Sequence, residues 1–178
     1  MGLKSEKDLK DGKMKEFYSK EVMKHFKHPK NVGSIKDADG IGKVGNILCG
    51  DVMWLFIKVK KEKAIITDAK FQTFGCVVAI ANSSMLTEMV KGKTLEEALK
   101  INKEKLLKKL GKIPPIKIHC SVLAIDALAE AVYDYYKKNK IPIPKELETR
   151  HKRIIQTLKE IEKRHKAYVE FEKKQIQK

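Results

Sequence analysis

No run of apolar residues approaches the roughly 18 that a membrane span requires, so a soluble protein is expected. No apolar signal core opens the chain. Its first fifteen residues hold Glu6, Asp8 and Asp11 among lysines and contain no arginine, which argues against a mitochondrial presequence and for a cytoplasmic protein. Arginine is nearly missing throughout: Arg150, Arg153 and Arg164 stand against 36 lysines. A nucleic-acid reader usually needs arginine forks and focused charge. Here lysine is spread through every segment and interleaved with acid. The net charge of +16 therefore reads first as a lysine-rich solvated surface with a thermophilic bias, and second as attraction to an acidic partner. Cysteine is scarce and odd in number: three, with no Cys-x-x-Cys. That disfavours both a disulfide framework and a thiol oxidoreductase, and favours metal binding or thiol chemistry. No internal repeat is visible.

What is present suits one packed domain with an appendage, since 178 residues with 42% hydrophobic content can bury a core. Residues 1–16 are polar and expected to be frayed. Ser19 is placed to cap a helix through His28, and Pro29 stops it. Residues 30–46 read as loop, with a strand near 41–47. The β-branched and aromatic run 51–59 predicts a strand buried on both faces for part of its length, and 64–74 its hairpin partner. A helix over 77–90 places Ile80, Met85, Leu86 and Met89 at helical spacing, with Gly92 as its C′ glycine. Thr94 and Glu97 form a capping-box pattern, and a further helix over 103–110 ends at Gly111. The prolines of Ile113-Pro114-Pro115-Ile116-Lys117 predict an extended linker. The next helix runs over 121–138, with Val122, Leu123, Leu128, Ala131, Val132 and Tyr135 inward. Residues 141–144 (Ile-Pro-Ile-Pro) form a rigid spacer. A charged helix follows over 145–176, its narrow stripe Leu147, Ile154, Leu158, Ile161 and Tyr168, with His151 and His165 between. That stripe fits either a partner helix or the chain's own domain.

The chemistry gathers at element boundaries. Cys49 and Asp51 flank Gly50 at a strand entrance, and positions i and i+2 of an extended chain face the same side. Cys76 and Cys120 each precede a predicted helix, where free N–H groups and the dipole favour the thiolate. His119 adds an imidazole beside Cys120. Three sulfurs with one nitrogen or oxygen donor suit zinc or an iron–sulfur centre and poorly suit magnesium or calcium. Whether Asp51 or His119 completes the set stays open. The thiols lie 27 and 44 residues apart, so only the fold can assemble them.

Cys-Gly-Asp-Val-Met (49–53), Phe-x-Thr-Phe-Gly-Cys-x-x-Ala-Ile-Ala (71–81) and Pro-Pro-Ile-Lys-Ile-His-Cys-Ser (114–121) resemble the IscU-type iron–sulfur cluster assembly scaffolds, relatives of the NifU N-terminal domain. Tyr-Ser-x-x-Val (18–22), His-Pro-x-Asn-Val-Gly (28–33) and Thr-Glu-Met-Val-Lys-Gly-Lys (87–93) agree. The resemblance implies an α+β fold, a three-stranded antiparallel sheet with helices on one side, here with an extra C-terminal helix. It divides the chain into an extension at 1–16, a scaffold domain at 17–140, and a linker with its helix at 141–178.

By the same resemblance, Cys49, Cys76 and Cys120 hold a labile [2Fe–2S] cluster with Asp51 or His119, and any of the three thiols is a candidate persulfide acceptor. Iron is the implied metal, and zinc can replace it in aerobic preparations. The implied partners are a cysteine desulfurase, apo iron–sulfur acceptors and a ferredoxin or frataxin-like protein. A homo-oligomer is compatible, and no membrane or nucleic-acid partner is expected. Ile113–Lys117 is similar to the Leu-Pro-Pro-Val-Lys motif bound by an Hsp70-type chaperone with its co-chaperone. The protein would have no turnover of its own. Val77 and Val78 replace the Gly-Ser that bacterial relatives often carry, which predicts a better shielded cluster. The alternative is a zinc-bound sulfur relay of the SufU type. Those relatives carry an insertion between the second and third cysteines and lack the histidine, whereas this chain has His119 and no visible insertion.

Overall fold

The computed structural model describes residues 17–46 and 50–176, with side chains through residue 166. The expectations for residues 1–16, for Cys49 and for the Tyr168 side chain fall outside these. Among the described residues no helix is long and apolar enough to cross a membrane.

Helix α1 (Lys20–Lys27) starts where the sequence places it, because the Ser19 hydroxyl accepts from Val22 N at 3.1 Å. Ser19 N also donates to Lys112 O at 2.9 Å, tying the helix start to a distant loop. Strands β1 (Gly40–Gly45), β2 (Val52–Lys60) and β3 (Ile65–Phe74) form one antiparallel sheet in that order. Its register decides the rest, since Val52 pairs with both Gly45 and Phe74. The start of β2 therefore lies level with the end of β1 and the end of β3.

Along β2, Met53, Leu55, Ile57 and Val59 are buried, while Val52, Trp54, Phe56 and Lys58 are half-buried. The expected burial of both faces is thus corrected: the face carrying Trp54 and Phe56 is only half-buried. Helix α5 (His119–Lys138) lies on that face across β1. The approach is so close that a Cβ on Gly42 would stand 2.0 Å from Ala127 O, and one on Gly40 2.2 Å from Ala131 O. Small residues on both partners allow backbone to meet backbone there.

Helix α2 (Val77–Val90) starts directly after Cys76, which makes no side-chain capping bond, and ends before Gly92 at φ +79°. Of the four residues at helical spacing Met85 and Leu86 are buried and Ile80 and Met89 half-buried, while Asn82, Ser83, Ser84 and Thr87 are also buried. The helix has packing partners on several sides, α1, β3 and α5 among them, so one apolar stripe does not describe it. Hydrogen bonds offset the burial of its polar groups. Ser84 Oγ meets His25 Nδ1 at 2.7 Å and accepts from Lys30 N at 2.8 Å.

Helix α3 (Leu95–Leu99) carries the Thr94–Glu97 capping box, and α4 (Lys103–Leu110) is capped by Asn102. The Pro-Pro segment is not wholly extended: Pro115–Lys117 form a 3-10 turn. Proline is compatible with the first position of a helical turn, which needs no N–H there. Helix α5 consequently begins at His119 rather than Ser121, and Cys120 sits within its first turn. Val122, expected inward, is exposed.

Helix α6 (Lys145–Ile176) returns onto the domain. Leu147 and Ile154 join the common core. Asp126 of α5 accepts from Arg150 Nε at 2.7 Å and from Arg153 at 3.0 Å. His151 Nδ1 meets Glu130 Oε2 at 2.9 Å and stacks on Tyr133, ring centres 3.8 Å apart.

Candidate metal centre

The sheet register assembles the site. Asp51 precedes β2, Gly75 and Cys76 follow β3, and antiparallel pairing sets these two ends side by side. The start of α5 supplies Cys120. Donor atoms of Asp51, Cys76 and Cys120 all lie within 4.8 Å of one another. Cys76 Sγ stands 3.5 Å from Cys120 Sγ, and the Cys120 thiol reaches Asp51 Oδ2 at 3.6 Å. Asp51 and Cys120 are buried and Cys76 is half-buried. Among these three donors the centre thus has an inner wall, Asp51 and Cys120, and a more accessible thiol at Cys76.

Gly75 is part of the geometry, although the sequence marks it only as a strand stop. A Cβ there would lie 3.0 Å from Asp51 Cγ and 2.9 Å from Ala79 Cβ. Only glycine lets the β3–α2 corner close on the carboxylate without a shift.

Electrostatics favour a thiolate at Cys76, whose pKa falls from an ordinary 9.0 to about 6. A hydrogen bond from the Cys120 thiol is the largest cause, helped by the amides of Ala79 and Val78 at the start of α2. Burial and the negative charge of Asp51 act in the opposite direction. Two soft sulfurs and one carboxylate oxygen are a donor set for zinc or iron.

His119 stands outside the group of three donors within 4.8 Å. Its Nε2 is buried without a hydrogen-bond partner among the described residues. Cys49, two residues before Asp51, is outside the described residues. Val78 is wholly buried and faces the interior, leaving half-buried Val77 as the valine nearer the surface beside Cys76. Ile116 of the Ile113-Pro114-Pro115-Ile116-Lys117 segment is 78% exposed and Phe74 is 80% exposed, so large apolar side chains flank both cysteine-bearing corners.

Two further residues escaped the sequence reading. Asn82 Nδ2 donates to Ser121 Oγ at 3.1 Å, joining α2 to α5 one residue beyond Cys120, and both side chains are buried. Nothing in a single sequence couples positions 39 residues apart.

A family model described as the NifU-like N terminal domain matches residues 17–142. Two proteins of Archaeoglobus fulgidus, each named an iron-sulfur cluster assembly scaffold protein IscU, are 54% identical over 142 residues, spanning 76% of this chain and 92% of theirs. The protein of that name from Aquifex aeolicus is 49% identical over 121 residues, or 68% of this chain and 77% of its own. Among solved structures, a NifU-like N-terminal protein of Brucella abortus has a TM-score of 0.57 at 20% identity, over 70% of this chain and 98% of its own. A SufU-system protein of Fervidobacterium islandicum has a TM-score of 0.56 at 24% identity, over 66% of this chain and 98% of its own. Those two structural likenesses speak to the fold alone.

Proposed function

The chain belongs to the NifU-like N-terminal domain family, and from that premise we propose that it is a scaffold on which a labile [2Fe–2S] cluster is built and then handed on. The observation that carries this reading is the meeting of Asp51, Cys76 and Cys120 within 4.8 Å. Cys49, adjacent in sequence to the same corner, supplies the third sulfur. Asp51 is the fourth donor that the distances favour over His119, whose Nε2, without a hydrogen-bond partner among the described residues, leaves it as the alternative ligand or a proton acceptor.

A scaffold must hold its cargo without keeping it. Three thiolates give affinity for iron, while a carboxylate matches iron less well and exchanges more readily. Sulfur arrives as a persulfide on a cysteine desulfurase. A scaffold thiolate attacks the outer sulfur; the donor's S–S bond breaks, a new S–S bond forms, and the donor cysteine leaves as thiolate. All three cysteines remain acceptor candidates. Exposure and acidity support Cys76 over the buried Cys120 for first attack. Each delivered sulfur needs two electrons to become a bridging sulfide, which a ferredoxin would supply; a frataxin-like protein would assist assembly, and apo-proteins would take the finished cluster. The exposed Ile116 turn supports an Hsp70-type chaperone and its co-chaperone as release partners. The protein acts without turnover of its own, in a reducing cytoplasm that keeps the thiols available.

A zinc-bound sulfur relay of the SufU type is the second reading, favoured by a donor set that serves zinc equally well. Anaerobic iron and sulfide separate the two: the scaffold turns brown and the relay stays colourless. Zinc in an aerobic sample fits both. Asp51→Ala in the loaded scaffold should slow transfer to an apo-ferredoxin about ten-fold. Transfer at the parent rate would remove Asp51 from this role.

A further inference from the structure

Helix α6 lies beyond the family match, which stops at residue 142, yet it reaches the strand end beside Asp51. Leu147 and Ile154 seat its first turns in the core, and the Arg150–Asp126 and His151–Glu130 pairs fix its rotation on α5. Farther along, Leu158 and Ile161 cover Gly45, the last residue of β1. A Cβ on Gly45 would stand 2.6 Å from Ile161 Cδ1 and 3.3 Å from Leu158 Cδ2. Glu162 approaches Lys43 of the same strand at 3.9 Å.

Gly45 connects to the backbone that carries the carboxylate. It pairs with Val52, and the next residue, Asn46, donates its N–H to Asp51 O at 2.9 Å. That carbonyl lies 3.8 Å from the space a Gly45 side chain would occupy. On its other flank the Asp51 side chain meets Gly75. Asp51 is therefore held between the β3–α2 corner and the end of β1, and α6 backs the second of these supports.

We propose that Leu158 and Ile161 of α6 are positioning residues that set the Asp51 carboxylate against the two thiols. The proposal rests on Asp51 being a donor of the metal centre. Helix α6 packs where the strand ends, so removing its two side chains leaves Gly45 without that backing and loosens the strand end whose next residue, Asn46, holds the Asp51 backbone. A ligand held by such outer support loses about ten-fold or more in metal affinity when the support is removed.

The test uses the full chain, metal-free and anaerobic, titrated with cobalt(II) alone. Leu158→Ala/Ile161→Ala should bind cobalt about ten-fold more weakly than the parent, with ligand-field bands shifted toward those of Asp51→Ala. Ile161→Leu should restore the parent spectrum. Added to an Asp51→Ala background, the double substitution should change nothing further, because positioning acts only through that carboxylate. Ile161→Ala alone serves as the milder variant, and a thermal melt confirms that each protein is folded. Parent-like cobalt binding in the folded α6 variants overturns the proposal while leaving the donor set intact. So does an equal loss with and without Asp51. An Asp51→Ala protein with the parent's cobalt spectrum removes Asp51 as a donor, and the proposal falls with that reading.

Discussion

At the scale of the residue, Cys76 is the group its surroundings alter most clearly at the site. In metal-free protein, alkylation by iodoacetamide should follow a midpoint near pH 6 rather than the ordinary 9.0. Cys120→Ala removes the largest cause and should raise that midpoint; Asp51→Ala removes an opposing charge and should lower it. A midpoint unmoved by Cys120→Ala would contradict the hydrogen bond as its origin. The sign for stability follows. The folded value lies below the unfolded one, so ionised Cys76 adds stability fully above the unfolded pKa and loses it as pH falls through about 6. The sequence made Cys76 and Asp51 legible because soft and hard donors beside glycine at element boundaries are unusual. It left Gly75 and the Asn82–Ser121 pair unread, since their roles depend on neighbours brought in from distant segments.

At the scale of the element, close contact between α5 and β1 is set by glycine facing alanine. Gly42→Ala drives a Cβ to within 2.0 Å of a backbone oxygen. It should destabilise the fold by about 3 kcal/mol or more in urea unfolding, the upper end for overpacking. Gly45→Ala meets the far ends of the Ile161 and Leu158 side chains, with backbone no nearer than 3.8 Å, so it should cost a fraction of that. Equal losses for the two would contradict the contact geometry. Helices with side-chain caps were legible, as at Ser19 and Thr94. The start of α5 was not, because Ile118 offers no capping side chain and the turn Pro115–Lys117 leads into the helix. Burial of the polar side chains of α2 was not legible, because neighbours cover several of its sides.

At the scale of the whole molecule, α6 shares the core through Leu147 and Ile154. Ile154→Ala should therefore destabilise the protein by about 2–5 kcal/mol, with far-ultraviolet and tyrosine signals still changing in one transition. A separate early transition for α6 would contradict the shared core. The order of strands and helices could be read from periodicity and turn residues. The docking of α6 could not, since its narrow stripe fits a partner as well as its own domain. The Asp126 and Glu130 contacts that decide the matter are apparent only in three dimensions.

The central claim is that one pocket unites distant thiols with a carboxylate to hold an iron–sulfur unit. Mössbauer spectroscopy after anaerobic reconstitution with isotope-enriched iron and sulfide tests it most directly. The account predicts a diamagnetic [2Fe–2S] signal with two inequivalent iron sites, one with mixed ligation, and its loss in Cys120→Ala. Iron seen only as unspecific high-spin ions, or an unchanged cluster signal in Cys120→Ala, would contradict it.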